Sequence, residues 1–125
     1  MQLNDISGKI IELAIRVHTE LGPGMLENAY EACLLYELLN AGLKAEAQKE
    51  LPIIYRDMRI EAGYRLDLIV EDSVIVEIKA IERTLPVHEA QLLSYLRLTG
   101  LKLGLLINFN VRLLRDGIKR VVNNF

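Results

Sequence analysis

The chain has 125 residues, of which 51% are hydrophobic and 26% charged, and its formal net charge is −2. This length and composition suffice for one ordinary hydrophobic core, so we predict a single domain over residues 1–125. The small net charge does not indicate tight nonspecific binding to nucleic acid, and no apolar run reaches the ~18–20 residues of a membrane span.

The start of the chain has no signal-peptide character, and Cys33 is the only cysteine. No intramolecular disulfide can form, and the apolar helical pattern around Cys33 favours a buried structural thiol. We therefore expect a cytoplasmic protein with no membrane partner.

Two helices are predicted first. The first runs from a cap at Asn4 or Asp5 to about Glu20 and ends at the glycine- and proline-containing segment 21–24. The second covers about 26–39 and is followed by a glycine that is typical of a helix C-terminus. One apolar stripe marks the first helix and is formed by Ile6, Ile10, Leu13, Ala14 and Val17.

Strands dominate the middle of the chain. We predict one strand over 45–55 and, after a turn at 56–58, a long strand that ends at Val70, with Gly63 as a bend or bulge. The turn-forming residues 71–73 then connect it to a strand over 74–81, so the pair forms a hairpin.

The last elements are a helix and two strands. Pro86 begins a helix that runs to about Leu98. The almost wholly apolar run 101–109 fits a strand buried on both faces. A turn at 115–117 precedes a short strand or hairpin at an edge.

Alternation in the hairpin separates apolar from charged side chains. One face carries Tyr64, Leu66, Leu68 and Val70 with Val74, Val76, Ile78 and Ala80, and the other carries Arg65, Asp67 and Ile69 with Ile75, Glu77, Lys79 and Ile81. Matching the faces places Asp67 across from Glu77 and Arg65 across from Lys79, with facing Cβ atoms ~4.5–5.5 Å apart. Two carboxylates at this distance repel, and a divalent cation relieves the repulsion. The alternative is a solvated sheet face with a cross-strand ion pair.

Further polar side chains lie on predicted helices. Glu27 and Tyr30 share one helix face, as do Gln91 and Tyr95 on another. Glu27 could instead complement the positive end of its helix, and both tyrosines could simply pack. His18 and His88 are isolated and lack the clustered spacing of a zinc site.

Charge is unevenly distributed along the chain. From Gln91 onward there is one acidic residue, Asp116, and the basic residues are Arg97, Lys102, Arg112, Arg115, Lys119 and Arg120. This third carries +5 and the first ninety residues −7. It could supply a phosphate-facing edge or be an ordinary solvated surface.

Asp67, a short gap and then Glu77-Ile78-Lys79 resemble the core motif of the PD-(D/E)XK nuclease superfamily. Residues 24–30, Gly-Met-Leu-Glu-Asn-Ala-Tyr, match the signature of the bacterial GxxExxY proteins, a branch of that superfamily, and the similarity covers nearly the whole chain. The implied fold is an α/β restriction-endonuclease-like sandwich. Its central mixed four-stranded sheet, with a short C-terminal edge strand, is flanked by helices.

The resemblance also implies a function, a metal-dependent nuclease that hydrolyses the phosphodiester bonds of DNA with metal-activated water. Mg²⁺ or Mn²⁺ would be the cofactor, since both prefer oxygen ligands. The metal ligands would be Asp67, Glu77, Glu27 and the backbone carbonyl of Ile78. The catalytic residues would be Glu27, Asp67, Glu77, Lys79 and Gln91, supported by His18, Tyr30 and Tyr95.

Two further expectations concern partners. Nucleic acid, with DNA favoured, is the expected substrate, and so small a core could need a homodimer to hold it. The alternative function is a non-enzymatic nucleic-acid-binding or protein-interaction module that keeps the fold.

Overall fold

The computed structural model describes the whole chain, Met1–Phe125. Three helices and seven strands follow one another, with a 3₁₀ turn at Leu114–Gly117 before the last strand. In chain order they are α1 (Leu3–Leu21), α2 (Glu27–Asn40), β1 (Ala45–Glu50), β2 (Ile53–Tyr55), β3 (Met58–Ile60), β4 (Arg65–Val70), β5 (Val74–Lys79), α3 (Pro86–Thr99), β6 (Leu103–Asn108) and β7 (Ile118–Val122). None of the helices combines the length and apolar character that a membrane crossing requires.

Five strands form the central sheet in the order β1-β4-β5-β6-β7. β5 and β6 are parallel, with Lys79 paired to Asn108, and all other neighbours are antiparallel. A parallel pair needs a crossover connection, and α3 supplies it. The carboxyl ends of β5 and β6 therefore lie at the same end of the sheet. The predicted restriction-endonuclease-like architecture, a mixed sheet with a C-terminal edge strand and flanking helices, is confirmed.

Each face of the sheet buries its own core. The apolar stripe predicted for the first helix is buried with Tyr30, Leu34 and Leu38 of α2 against one face. On the other face, Leu92 and Leu96 of α3 pack against Ile75 and Leu106. β6 is buried along its whole length, as predicted. The solvated face that was the alternative for the hairpin is not found at Ile69, Ile75 and Glu77, which are buried. Cys33 is only half-buried rather than buried.

Two strand predictions are wrong in the same region. The strand predicted over 45–55 is divided into β1 and β2, and Pro52, which has no N–H to donate, lies in the break. The predicted long strand to Val70 is divided into β3 and β4, with Gly63 between them at a φ of 78°. β2 and β3 pair only with each other, as a small separate hairpin.

The predicted cap of the first helix is also wrong. Gln2 occupies the cap position, and Asn4 and Asp5 lie inside the first turn of α1. The carboxylate of Asp5 still serves this end, because it accepts a hydrogen bond of 3.1 Å from the backbone N–H of Gln2.

The face assignment of the hairpin fails before Asp67. Leu66 packs in the α3-side core, although alternation places it with Leu68, and the ring of Tyr64 lies 6.2 Å from that of Tyr95 on the same side. The change coincides with an irregularity in the partner strand, since the β1–β4 register omits the pair Gln48–Asp67.

Candidate active site

Asp67 and Glu77 face each other where β4 and β5 stop pairing. Leu68 is paired with Val76, which places Asp67 across from Glu77 at the next step, as the sequence predicts. Beyond this point, hydrogen bonds from backbone N–H groups to side chains take the place of the backbone hydrogen bonds between β4 and β5. The N–H of Asp67 donates to Oε2 of Glu77 at 2.9 Å, and the N–H of Ile78 donates to Oδ2 of Asp67 at 2.8 Å. Each carboxylate is thus fixed by the neighbouring strand.

Burial disfavours the ionised form of both carboxyl groups. Glu77 is only 5% exposed, and burial raises its pKa to about 8, with a further rise from the charge of Asp67. Burial also raises the pKa of Asp67, partly opposed by the N–H of Ile78 and the charge of Lys79. Such paired, raised pKa values are typical of functional sites.

Lys79 ends β5, two residues beyond Glu77, and its side chain is half-buried. Its positive charge lowers the pKa of both carboxylates. None of the six ion pairs in the protein includes Lys79, Asp67 or Glu77. The ammonium is therefore close enough to act on the carboxylates electrostatically, yet it is not held by a direct ion pair.

α2 brings two glutamates to the same place. Oε2 of Glu27 lies 3.4 Å from the N–H of Ala80, just after β5. Glu31, one turn later, accepts a hydrogen bond of 2.6 Å from the side-chain amide of Gln48, and the same amide lies 3.5 Å from Oδ1 of Asp67. Burial raises the pKa of Glu31, opposed by this hydrogen bond. We call Glu27, Glu31, Asp67 and Glu77 the acidic cluster.

Gln48 has an unusual backbone conformation. Its φ of 54° lies in the left-handed region, which costs a residue with a Cβ atom about 1–2 kcal/mol. The residue faces Asp67 in β4, at the pair that the β1–β4 register omits. Strained residues cluster at functional sites, and here the strain accompanies a side chain that joins Glu31 to Asp67.

Both predicted supporting tyrosines are buried. The hydroxyl of Tyr30 donates to the carbonyl of Gly22 at 2.6 Å and accepts from the N–H of Met25 at 3.0 Å, so it holds the turn before α2. Its ring stacks on Phe109 with centroids 4.5 Å apart. Tyr95 lies within electrostatic range of Glu77. Burial raises its pKa to about 12, and the charge of Glu77 adds to the rise.

Two other predicted residues form no side-chain hydrogen bond with the acidic cluster. Nε2 of His18 is 2.7 Å from the carbonyl of Val111, and His18 lines a cleft together with Gly22. Gln91 is exposed on α3, and its side chain forms no hydrogen bond within the protein. The roles assigned to His18 and Gln91 remain predictions.

Sequence reasoning missed Glu31, Gln48 and Asn108. Glu31 could have been found, because it is four residues after Glu27 and so shares its helix face. Gln48 gives no signal in a segment predicted as a regular strand. Asn108 lies in an almost wholly apolar run, yet its buried side-chain amide forms two hydrogen bonds with the backbone of Ile81. It donates to the carbonyl of Ile81 at 2.9 Å and accepts from the N–H of Ile81 at 3.1 Å. These bonds fix the chain after β5.

The donor set fits a hard divalent cation. Asp67 and Glu77 supply carboxylate oxygens, and no cation of the protein lies within ion-pair distance of them. No group of three or more acidic, histidine or cysteine side chains is arranged as a metal cage. Mg²⁺ is usually bound by one or two carboxylates and completes its shell with water and substrate phosphate, so two carboxylates are enough.

Comparison with known proteins identifies a family. A sequence model for a family described as the PD-(D/E)XK nuclease superfamily matches residues 4–121, which include every residue of the acidic cluster and Lys79. Neither a search of curated proteins nor a search of solved structures gave a significant match.

Proposed function

Because the chain belongs to the PD-(D/E)XK nuclease superfamily, we propose that it is a metal-dependent nuclease that hydrolyses phosphodiester bonds of DNA. The observation that carries this proposal is the pair of facing carboxylates, buried Glu77 and half-buried Asp67, fixed by hydrogen bonds where β4 and β5 stop pairing, with Lys79 two residues beyond Glu77. The order Asp, Glu-X-Lys is the one that gives the superfamily its name. The finer assignment to the GxxExxY branch rests on residues 24–30.

Asp67 and Glu77 are proposed to hold Mg²⁺ or Mn²⁺, together with the backbone carbonyl of Ile78. Glu27 is proposed as a further ligand because it reaches the end of β5 from α2. When bound, such a cation lowers the pKa of water and offsets the negative charge of a reacting phosphate. Glu31 and Gln48 would hold Asp67 in place.

Lys79 is proposed as the catalytic cation of the protein. Its ammonium would orient or deprotonate the attacking water, or stabilise the charge that develops on the phosphate oxygens. The absence of a direct ion pair supports this role, because a lysine locked onto a carboxylate could do neither. Tyr95 would pack beside Glu77 and exclude solvent, and Gln91 would contact a phosphate oxygen.

A substrate screen tests the proposal. Purified protein is incubated with labelled single-stranded, duplex and branched DNA and with RNA, each with Mg²⁺, Mn²⁺ or EDTA. We expect cleavage of a DNA substrate that EDTA abolishes and that Glu77→Gln lacks. Absence of cleavage with every substrate and metal would favour a non-enzymatic nucleic-acid-binding module, and cleavage retained by Glu77→Gln would exclude this site.

A further inference from the structure

A concave surface that contains no residue of the acidic cluster lies beside the turn between α1 and α2. This cleft encloses about 620 Å³ and is formed by the end of α1 and the segment that follows β6. Its lining includes Arg112, Arg115 and His18, and it contains no aspartate or glutamate. We call it the arginine cleft. Its volume is in the range of ordinary ligand pockets, ~300–1,000 Å³.

Neither arginine of the cleft has a partner within the protein. Both are exposed, none of the ion pairs includes them, and no side-chain hydrogen bond satisfies either guanidinium. A guanidinium presents five donors in a planar fork that matches the oxygens of a phosphate. Two unpaired guanidinium groups in one acid-free cleft therefore form a surface complementary to phosphate.

The fold connects this cleft to the acidic cluster. The carboxyl ends of β5 and β6 lie at the same end of the sheet, and the N–H of Phe109 donates to the carbonyl of Lys79 at 2.9 Å. The segment that carries both arginines continues directly from Phe109. Gly22 also lines the cleft, and its carbonyl accepts a hydrogen bond from the hydroxyl of Tyr30. Tyr30 belongs to the same helix as Glu27.

The positive charge of the arginine cleft suits it to bind a polyanion. The acidic cluster repels a polyanion, so a nucleic acid needs a compensating positive surface nearby. We propose that Arg112 and Arg115 each bind a backbone phosphate of the nucleic acid whose scissile bond lies at the acidic cluster. The inference rests on the proposed function for its choice of ligand. It gives the uneven charge of the chain a physical role, since the segment with the unpaired arginines contacts substrate.

The competing role for these arginines is structural. The arginine cleft contains the C-terminal end of α1, whose exposed carbonyls carry partial negative charge that cations stabilise. That role predicts that loss of the arginines lowers the melting temperature and leaves nucleic-acid binding unchanged.

Binding in a salt series separates the two roles. Fluorescence anisotropy with a labelled DNA duplex is measured in Mg²⁺, and every protein carries Glu77→Gln so that binding is recorded without cleavage. Arg112→Gln/Arg115→Gln is compared with Arg97→Gln/Lys102→Gln. The control removes the same charge beside the start of β6, at the opposite end of the sheet.

We expect the double arginine variant to bind at least tenfold more weakly than the control. Log affinity decreases with log salt concentration, and each lost phosphate contact makes this decrease less steep by ~0.9. The slope of the double variant should therefore be smaller in magnitude by about 2. If the double variant does not fold, Arg112→Gln and Arg115→Gln are measured singly, and each should reduce the slope by about 1.

Three results distinguish this inference from the proposed function. The inference would be overturned if the double arginine variant had the same slope and affinity as the control. It would also be overturned if the protein that carries Glu77→Gln alone did not bind nucleic acid. If the parent protein without Glu77→Gln cleaves DNA while the arginine variant binds like the control, only the inference fails. If nothing is cleaved but binding depends on the arginines, the inference stands and the nuclease proposal fails.

Discussion

The backbone N–H of Asp67 donates a hydrogen bond of 2.9 Å to the carboxylate of Glu77, so two acidic residues that repel as ions are joined across neighbouring strands. The bond fixes the position of Glu77 while burial opposes its ionisation. Without a divalent cation, the folded protein therefore holds an acid that does not readily release its proton at neutral pH.

The first prediction follows from that acid. The pKa of Glu77 is raised from 4.5 to about 8, so the folded state retains a proton that the unfolded state has released. Without divalent metal, the free energy of unfolding should therefore fall as the pH rises from about 5 to 9. Glu77→Gln has no proton to lose, so its fall should be smaller by at least ~1.4 kcal/mol, the value of one pKa unit. Denaturant unfolding in EDTA measures this.

Glu46→Gln is the matched control, because Glu46 is an exposed acid on the edge strand β1. It should retain the pH dependence of the wild type. Equal pH dependence in Glu77→Gln and wild type would show that Glu77 does not have a raised pKa.

The second prediction concerns metal. A cation that binds only the folded state raises stability by ~2.7 kcal/mol at one hundred times its Kd. Titration with Mn²⁺ should therefore raise the melting temperature of the wild type and of Glu46→Gln, and much less that of Asp67→Asn. The asparagine oxygen can still accept the hydrogen bond from Ile78, so the comparison isolates the charge. A shift in Asp67→Asn as large as in wild type would place the metal elsewhere.

The third prediction concerns Gln48. Gln48→Ala and Gln48→Gly both remove the amide that joins Glu31 to Asp67, so both should show the same weakened response to Mn²⁺. They should differ in stability. At a φ of 54°, glycine avoids the steric cost that alanine retains, so Gln48→Gly should be the more stable by ~1 kcal/mol. Denaturant unfolding in EDTA would contradict the strain at this position if alanine proved equal or better.

Much of this arrangement follows from local sequence patterns. The register of β4 and β5 could be predicted because a turn-forming segment separates two alternating runs, and only one register matches their faces. β6 could be predicted from its continuous apolar run. The approach of Glu31 to Asp67 could not, because it depends on how α2 crosses the sheet, which no local pattern specifies. The conformation of Gln48 likewise depends on its tertiary setting.

The fourth prediction concerns Lys79. If it acts on the attacking water or on developing charge, Lys79→Met should fold and bind Mn²⁺ but cleave at least ~100-fold more slowly than wild type. Lys79→Arg should not restore the rate, because a planar, permanently charged guanidinium cannot replace a compact ammonium whose pKa can shift. Single-turnover cleavage and metal-binding calorimetry on the same proteins give both values. Unchanged cleavage by Lys79→Met would assign the lysine a structural role.

The central claim is that the carboxylate pair of β4 and β5 performs metal-dependent phosphodiester hydrolysis. Its most direct test is the single-turnover rate on the DNA substrate that the screen selects, measured for wild type, Asp67→Asn and Glu46→Gln with Mg²⁺ and with EDTA. We predict cleavage by wild type and Glu46→Gln that EDTA abolishes, and a rate at least ~100-fold lower for Asp67→Asn. Equal rates for Asp67→Asn and wild type, or cleavage that persists in EDTA, would contradict the claim.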